Sequence, residues 1–199
     1  MTEFGPNGTV LTSTPPAAAA PLDYTVPVTA SFKRIRLASF LCGMAACILV
    51  ALIGVTLLFL SFQFAAIFGR DAGIMFSDDG FLQGMGLATL MSAMNWYLGY
   101  FTIPAAWIAI SLSLGRFPRR GIVRPLPYYR WGAAWGAILV GGTTAIASYL
   151  MASMNIASGL GGLAAGAAIG AVAGFICGAI FRGIVRPAEQ VKRIQVDVF

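Results

Sequence analysis

The chain contains no histidine. Metal sites built on imidazole, histidine-activated nucleophiles and histidine proton relays are therefore excluded. Charge is nearly as scarce, since 10% of the 199 residues are charged, against about 25% in an average soluble domain. None of the Asp, Glu, Lys or Arg residues falls inside the long apolar runs described below. Ion-coupled pumps usually place such a group near the bilayer midplane, so proton-driven transport is not expected. Cysteine is limited to Cys42, Cys47 and Cys177, all within apolar runs. Cys42 and Cys47 are five residues apart and so point to different sides of one helix. That spacing implies neither a metal set nor a disulfide framework, and all three read as small buried hydrophobes.

What is abundant is apolar surface. Hydrophobic residues make up 58% of the sequence, and the mean hydropathy is +0.82. Runs at 37–68, 81–115, 131–154 and 156–181 reach or exceed the roughly 20 residues that cross a bilayer as helix. The expected fold class is all-α, a polytopic membrane protein with four transmembrane helices. Residues 1–32 are rich in Pro, Ala and Thr and carry too few large apolar groups to build a core, which predicts a disordered tail. No basic stretch precedes a short apolar one there, so the run from Leu37 reads as a retained span rather than a cleaved leader.

The cations set an orientation. Lys33, Arg34 and Arg36 precede the first run; Arg116, Arg119, Arg120, Arg124 and Arg130 fill the link between the second and third; Arg182, Arg186, Lys192 and Arg193 follow the fourth. Arg70, with Asp71, Asp78 and Asp79, lies in the first link. By the positive-inside rule both termini are cytoplasmic, as in a bacterial inner-membrane protein. The net charge of +6 thus reads as a topology signal, with the lipid bilayer as partner and no nucleic acid.

Five glycines, Gly162, Gly166, Gly170, Gly174 and Gly178, recur at four-residue spacing in the last run. Such a stripe is a helix-packing surface, a glycine zipper. The third run carries Ala133, Ala137, Gly141 and Ala145, beside the pair Gly132 and Gly136. A tight turn around Asn155 predicts that the two stripes pack against each other. The alternative is that the glycine helix faces a second copy or another membrane protein.

Two strings recur in the same order. Leu90-Met91-Ser92-Ala93-Met94-Asn95 is echoed by Leu150-Met151-Ala152-Ser153-Met154-Asn155, and Arg120-Gly121-Ile122-Val123-Arg124-Pro125 returns unchanged as Arg182-Gly183-Ile184-Val185-Arg186-Pro187. The expected organisation is a tandem duplication of a helical hairpin, with units at 33–125 and 126–187 and a short cytoplasmic tail at 188–199. In the hexapeptide, glycine past a helix end, arginine against the helix dipole and a following proline form a stop signal. A second reading makes Arg120, Arg124, Arg182 and Arg186 contacts for lipid headgroups or phosphate.

The second run is too long for one crossing. Trp96, Tyr97, Tyr100 and Phe101 resemble an interfacial aromatic belt, which would make 81–94 an interfacial or re-entrant half-helix. The matching excess in the first run favours a long antiparallel hairpin instead, kinked at Pro104. Asp78 and Asp79 read as helix caps. Asn95 and Asn155 read as equivalent outer polar positions that cap or make one interhelical hydrogen bond. The tail from Pro187 alternates apolar and polar residues toward its end and reads as unstructured.

The residues therefore point to no enzyme, no catalytic or metal residues and no cofactor. The leading expectation is a non-catalytic subunit acting through helix association, in assembly, as an accessory, or as an immunity-type protector against a glycine-rich membrane toxin. The alternative is a pore or facilitator for ions or small solutes.

Overall fold

The computed structural model describes residues 35–68, 79–117 and 124–186. Among the described residues every regular element is helical. These are α1 (Ile35–Phe68), α2 (Gly80–Ala93), α3 (Gly99–Leu112), α4 (Pro125–Met151) and α5 (Ile156–Val185), with short 3₁₀ turns at Met94–Trp96 and Leu114–Arg116. Three helices, α1, α4 and α5, are long and apolar enough to cross a membrane, and α2 with α3 makes a fourth candidate if the broken pair counts as one span. The tails at 1–34 and 187–199 and the first link at 69–78 lie outside the described residues, and with them the expectations for the N-terminal tail, Asp78 and the C-terminal stretch.

The centre of the bundle is the antiparallel pair α4–α5, held in a single register. Gly178 faces Tyr128, Gly174 faces Gly132, Gly170 faces Gly136, Gly166 faces Val140 and Thr144, and Gly162 faces Thr144 and Ser148. A methyl on Gly170 would fall on the carbonyl oxygen of Gly136, and one on Gly136 would fall on that of Gly170; Gly132 and Gly174 block each other in the same way. The backbones touch because no side chain stands between them. At such separation glycine Cα–H groups meet opposing carbonyls, each contact contributing about 0.5–1 kcal/mol.

The stripe that α4 brings to this contact is Tyr128, Gly132, Gly136, Val140, Thr144 and Ser148, and the expected Ala133 and Ala137 are not among the residues nearest the α5 glycines. Gly141 does pack, against Ala167, and the Ala145 carbonyl lies 3.6 Å from the position of a Cβ on Gly159. The reason for the shift is closeness of approach. A glycine pair allows the axes nearer than an alanine pair, so the helices roll until glycine meets glycine.

The turn between them is tight. Ser153 and Met154 both take positive φ, at 53° and 63°, and Met154 N–H donates to the Tyr149 carbonyl at 2.8 Å. Asn155 then caps α5, its side chain accepting from Ala157 N–H at 2.9 Å, and Asp79 caps α2 by accepting from Phe81 N–H at 2.9 Å. Both caps follow the expectation that short polar side chains satisfy free amides at helix starts.

α2 lies across the Asn155 end of this pair. Glycine allows the approach on both sides: a Cβ on Gly84 would strike the Ser158 carbonyl, and one on Gly161 would strike that of Phe81. Hydroxyls tie the three helices together. Ser148 Oγ donates to the Gly84 carbonyl at 3.3 Å, and Ser158 Oγ donates to the Ser148 carbonyl at 3.2 Å. Thr144 Oγ1 lies 2.9 Å from the Gly162 carbonyl and 2.8 Å from Val140 of its own helix, so its single proton serves one of them at a time.

The second run is not one arm of a straight hairpin. α2 and α3, with their flanking 3₁₀ turns, meet at 93° across a break at residues 97–98. Pro104 lies inside α3 and does not set the bend. A proline disturbs the carbonyl four residues before it, here Tyr100, which already lies beyond the break. Tertiary contact fixes the corner instead: Asn95 is held by α1, and α3 starts beside the sulfur of Cys47, which would stand in ordinary contact, 3.5 Å away, with a Cβ on Gly99. The repeated strings accordingly fold differently in their two copies. Met94-Asn95 runs into a 3₁₀ turn while Met154-Asn155 forms the left-handed turn before α5. Arg124-Pro125 opens α4, whereas Arg186 closes α5 in the left-handed conformation with φ 45°. Gly183, expected as the closing residue, lies within α5 with no atom near it.

At the opposite end, Tyr128 stacks on Phe181 with ring centroids 6.2 Å apart, and Phe117 meets Tyr128 edge-on at 5.4 Å. Ile35, Ala38, Cys42, Ile110 and Leu114 complete this buried cluster, which fastens α1 and α3 to the central pair.

Two substitutions separate close approach from helix preference. Gly170→Ala is expected to lower stability by about 1–3 kcal/mol through overpacking. Gly142→Ala, at a glycine with no atom within 4 Å of the added methyl, should be neutral or stabilising by up to about 1 kcal/mol. Unfolding in mixed detergent micelles reads both.

Candidate functional site

The break between α2 and α3 leaves a gap in the bundle. Because α3 leans on α1 and diverges from α4, a cavity of about 250 Å³ opens between them. Its back is formed by α1 at Ala46, Cys47 and Val50 and by the small residues of α5; α4 contributes Trp135 and Val140, α3 contributes Ala105, Ala106 and Ala109, and the corner contributes Ser92 and Asn95. Phe101 and Thr143, both exposed, stand at its rim.

Asn95 is the fixed point of the corner. It is 6% exposed, and its Nδ2 donates to the Cys47 carbonyl at 3.1 Å, while the Cys47 thiol lies 3.5 Å from the Asn95 carbonyl. The reciprocal pair ties the tip of the broken span to the middle of α1. Asn95 is thus interior, and it is not the counterpart of Asn155, which stands exposed at the end of the bundle. The aromatic residues beside it, Trp96, Tyr97, Tyr100 and Phe101, are 69, 76, 91 and 78% exposed. They surround the corner, opposite the middle of α1, and so do not form a belt at the ends of the helices.

Two residues that line this cavity carry a polar atom that is shut away from it and has no partner. Ser92 is 2% exposed, and its Oγ accepts and donates no hydrogen bond; Trp135 Nε1–H is likewise shielded and unpaired. Sequence reasoning missed both. Ser92 looked like one more small residue in a repeated string, and Trp135 like one more apolar residue. Only the tertiary fold makes both residues line the gap left by the bend.

Gly162, Gly166, Gly170, Gly174 and Gly178 are all buried and all face α4, the pairing of the third and fourth runs that the two stripes predict. Of the arginines considered for headgroup contact, Arg120 lies outside the described residues. Arg124 and Arg186 are exposed and Arg182 is half-buried, at the end of the bundle that also carries Arg36, Arg116 and Arg130. The cysteines are buried as expected. Cys42 and Cys47 do point apart, Cys47 to Asn95 and Cys42 to α5, where the thiols of Cys42 and Cys177 each lie 3.6 Å from the other's carbonyl oxygen. That pairing across 135 residues was not legible in the sequence.

Comparison with protein-family models, curated proteins and solved structures finds no match. The functional reading therefore rests on geometry and chemistry alone.

The corner supplies its own test. Asn95→Ala removes the interhelical hydrogen bond and is expected to cost about 0.6–2 kcal/mol of stability. Unfolding in mixed micelles that matches the unsubstituted protein would show that the corner is held by something else.

Proposed function

We propose that this chain is a non-catalytic multi-pass membrane protein of the bacterial inner membrane that works through helix–helix association, as an assembly, accessory or protective subunit. The observation that carries the reading is the division of labour between its helices. α4 and α5 use their glycines on each other and form a rigid support. The broken span presents four exposed aromatic side chains at its corner. Large aromatic residues dominate contact energetics where they are buried between chains. The contact surface in this proposal is accordingly the aromatic corner, not the glycine stripe.

Placing both termini on the cytoplasmic side is supported by charge. All six arginines of the described residues, Arg36, Arg116, Arg124, Arg130, Arg182 and Arg186, lie at one end of the bundle, and Asp79 caps α2 at the other. The proposal retains tandem duplication of a hairpin as the origin of the two helical pairs, on the strength of the repeated strings. Divergence then produced a glycine-packed glycine zipper in one copy and a bent span in the other.

A second reading, a pore or facilitator for a small solute, draws support from the cavity beside Asn95 and Thr144. Flux of ions or neutral solutes through reconstituted vesicles, above that of empty ones, would favour it over association.

The association reading is tested in native membranes. A photoreactive phenylalanine analogue at Tyr100 is expected to form protein adducts on irradiation. The pair Tyr100→Ala and Phe101→Ala should reduce recovery of a differently tagged copy or companion subunit while leaving unfolding unchanged. A chain that stays monomeric in lipid nanodiscs and yields only lipid adducts from position 100 would refute it.

A further inference from the structure

The cations of this chain carry one choice that topology does not require. Eleven of the thirteen basic residues are arginine, the exceptions being Lys33 and Lys192. Either cation orients a membrane chain. Arginine differs in its planar fork of donors, which grips a phosphate by two parallel hydrogen bonds, and in keeping its charge where water is scarce. The fold then collects these groups. Gly178 of α5 faces Tyr128 of α4, so four residues back along α4 and four residues on along antiparallel α5, Arg124 and Arg182 stand at one level. Arg182 is near enough to Tyr128 to act on it electrostatically, and Arg186 closes α5 at the same end. Arginines from both copies of the repeated hexapeptide thus meet in one place.

Among the described residues the only carboxylate is Asp79, which caps α2 at the other end of the bundle. The charge that complements the arginine end is therefore an anion from outside the described fold. Beside the arginines α5 turns a bare face outward. Gly183 lies inside the helix, exposed, and a Cβ there would meet no atom within 4 Å. Glycine within a helix costs stability relative to alanine, and no neighbouring helix accounts for this one. Along the same face follow Ala179, Phe175 and Val172, all exposed, at the three- and four-residue spacing that keeps them on one side. From Gly183 to Val172 is about 16 Å of helix, which matches one leaflet's share, about 15 Å, of the hydrocarbon core. A soluble anion would use the arginines and leave this strip unused. An anion with a hydrocarbon chain below it uses both.

We propose that the arginine end of the α4–α5 pair binds an anionic phospholipid, its phosphate held by Arg124, Arg182 and Arg186 and one acyl chain lying along the strip from Gly183 to Val172. Gly183, which does not end its helix, instead leaves the headgroup room beside Arg182. The site lies on the outward face of α5, apart from the aromatic corner, and stands independently of the association reading.

The test is native mass spectrometry of the full chain released from dodecyl maltoside, titrated with dioleoyl phosphatidylglycerol or with dioleoyl phosphatidylcholine, which has the same chains and no net charge. The anionic lipid is expected to be retained in preference. Each of Arg124→Gln, Arg182→Gln and Arg186→Gln should weaken its binding about fivefold, the worth of one cation at a membrane surface. Replacing all three by lysine should weaken it too, because a point charge does not make the bidentate contact. Gly183→Leu keeps every charge and fills the open space, so it should weaken binding without lowering the melting temperature. Three results would overturn the proposal. One is an equal loss from Lys33→Gln, Lys192→Gln and Arg193→Gln together, which remove cations before α1 and after α5 and would show diffuse attraction. Another is unaltered binding in the lysine triple or in Gly183→Leu. The third is inorganic phosphate that displaces the lipid and is itself retained, which would assign the arginines to a soluble anion. Should a glutamine variant fail to fold, the lysine triple and Gly183→Leu decide.

Discussion

Direct backbone contact between α4 and α5 is the constraint on which the rest of the structure depends. Lipid tails are as apolar as leucine, so helices in a bilayer gain little by burying large side chains and much by fitting closely. Gly132 against Gly174 and Gly136 against Gly170 remove every side-chain atom from the contact. Once that register is set, Thr144, Ser148 and Ser158 fall where their hydroxyls reach carbonyls of neighbouring helices. Gly161, on the adjacent face of α5, is left to receive α2. A helix with glycine on two faces can hold two neighbours at backbone distance, and α5 does so.

The bent span follows from that arrangement. α2 is drawn onto the Asn155 end of the central pair, while the apolar cluster of Tyr128, Phe181 and Leu114 holds the far end of α3. A straight helix from Gly80 to Arg116 would have to satisfy both attachments along one line. The chain instead turns beside Asn95, whose hydrogen bond to α1 offsets the loss of helical hydrogen bonds at the break. The bend that results exposes four aromatic residues outward and opens a cavity behind α3. Both features of functional interest are thus products of one corner.

Much of the fold was readable beforehand because membrane helices obey simple rules of length and charge. Apolar runs located α1, α4 and α5, and the glycine spacing identified the face of α5 that packs. Asp79 and Asn155 announced helix starts by their chemistry. The same reasoning misplaced the bend at Pro104, because proline is the visible local cause and a tertiary corner has none. It favoured Ala133 and Ala137 over Gly132 and Gly136 by counting a longer stripe, whereas the helices chose the stripe permitting closer approach. It treated identical strings as identical structures, although Arg-Pro opens one helix and arginine closes another.

By itself the sequence determined the medium, the helical class and the packing surface. Each of those depends on local composition and on a periodicity of four, which any neighbour would meet in the same way. Which helix covers the glycines, where the second run breaks and which polar groups are left without partners were decided only in three dimensions. Those outcomes depend on competition among contacts between residues far apart in the chain, such as Asn95 with Cys47 and Cys42 with Cys177. No local pattern records the outcome of that competition.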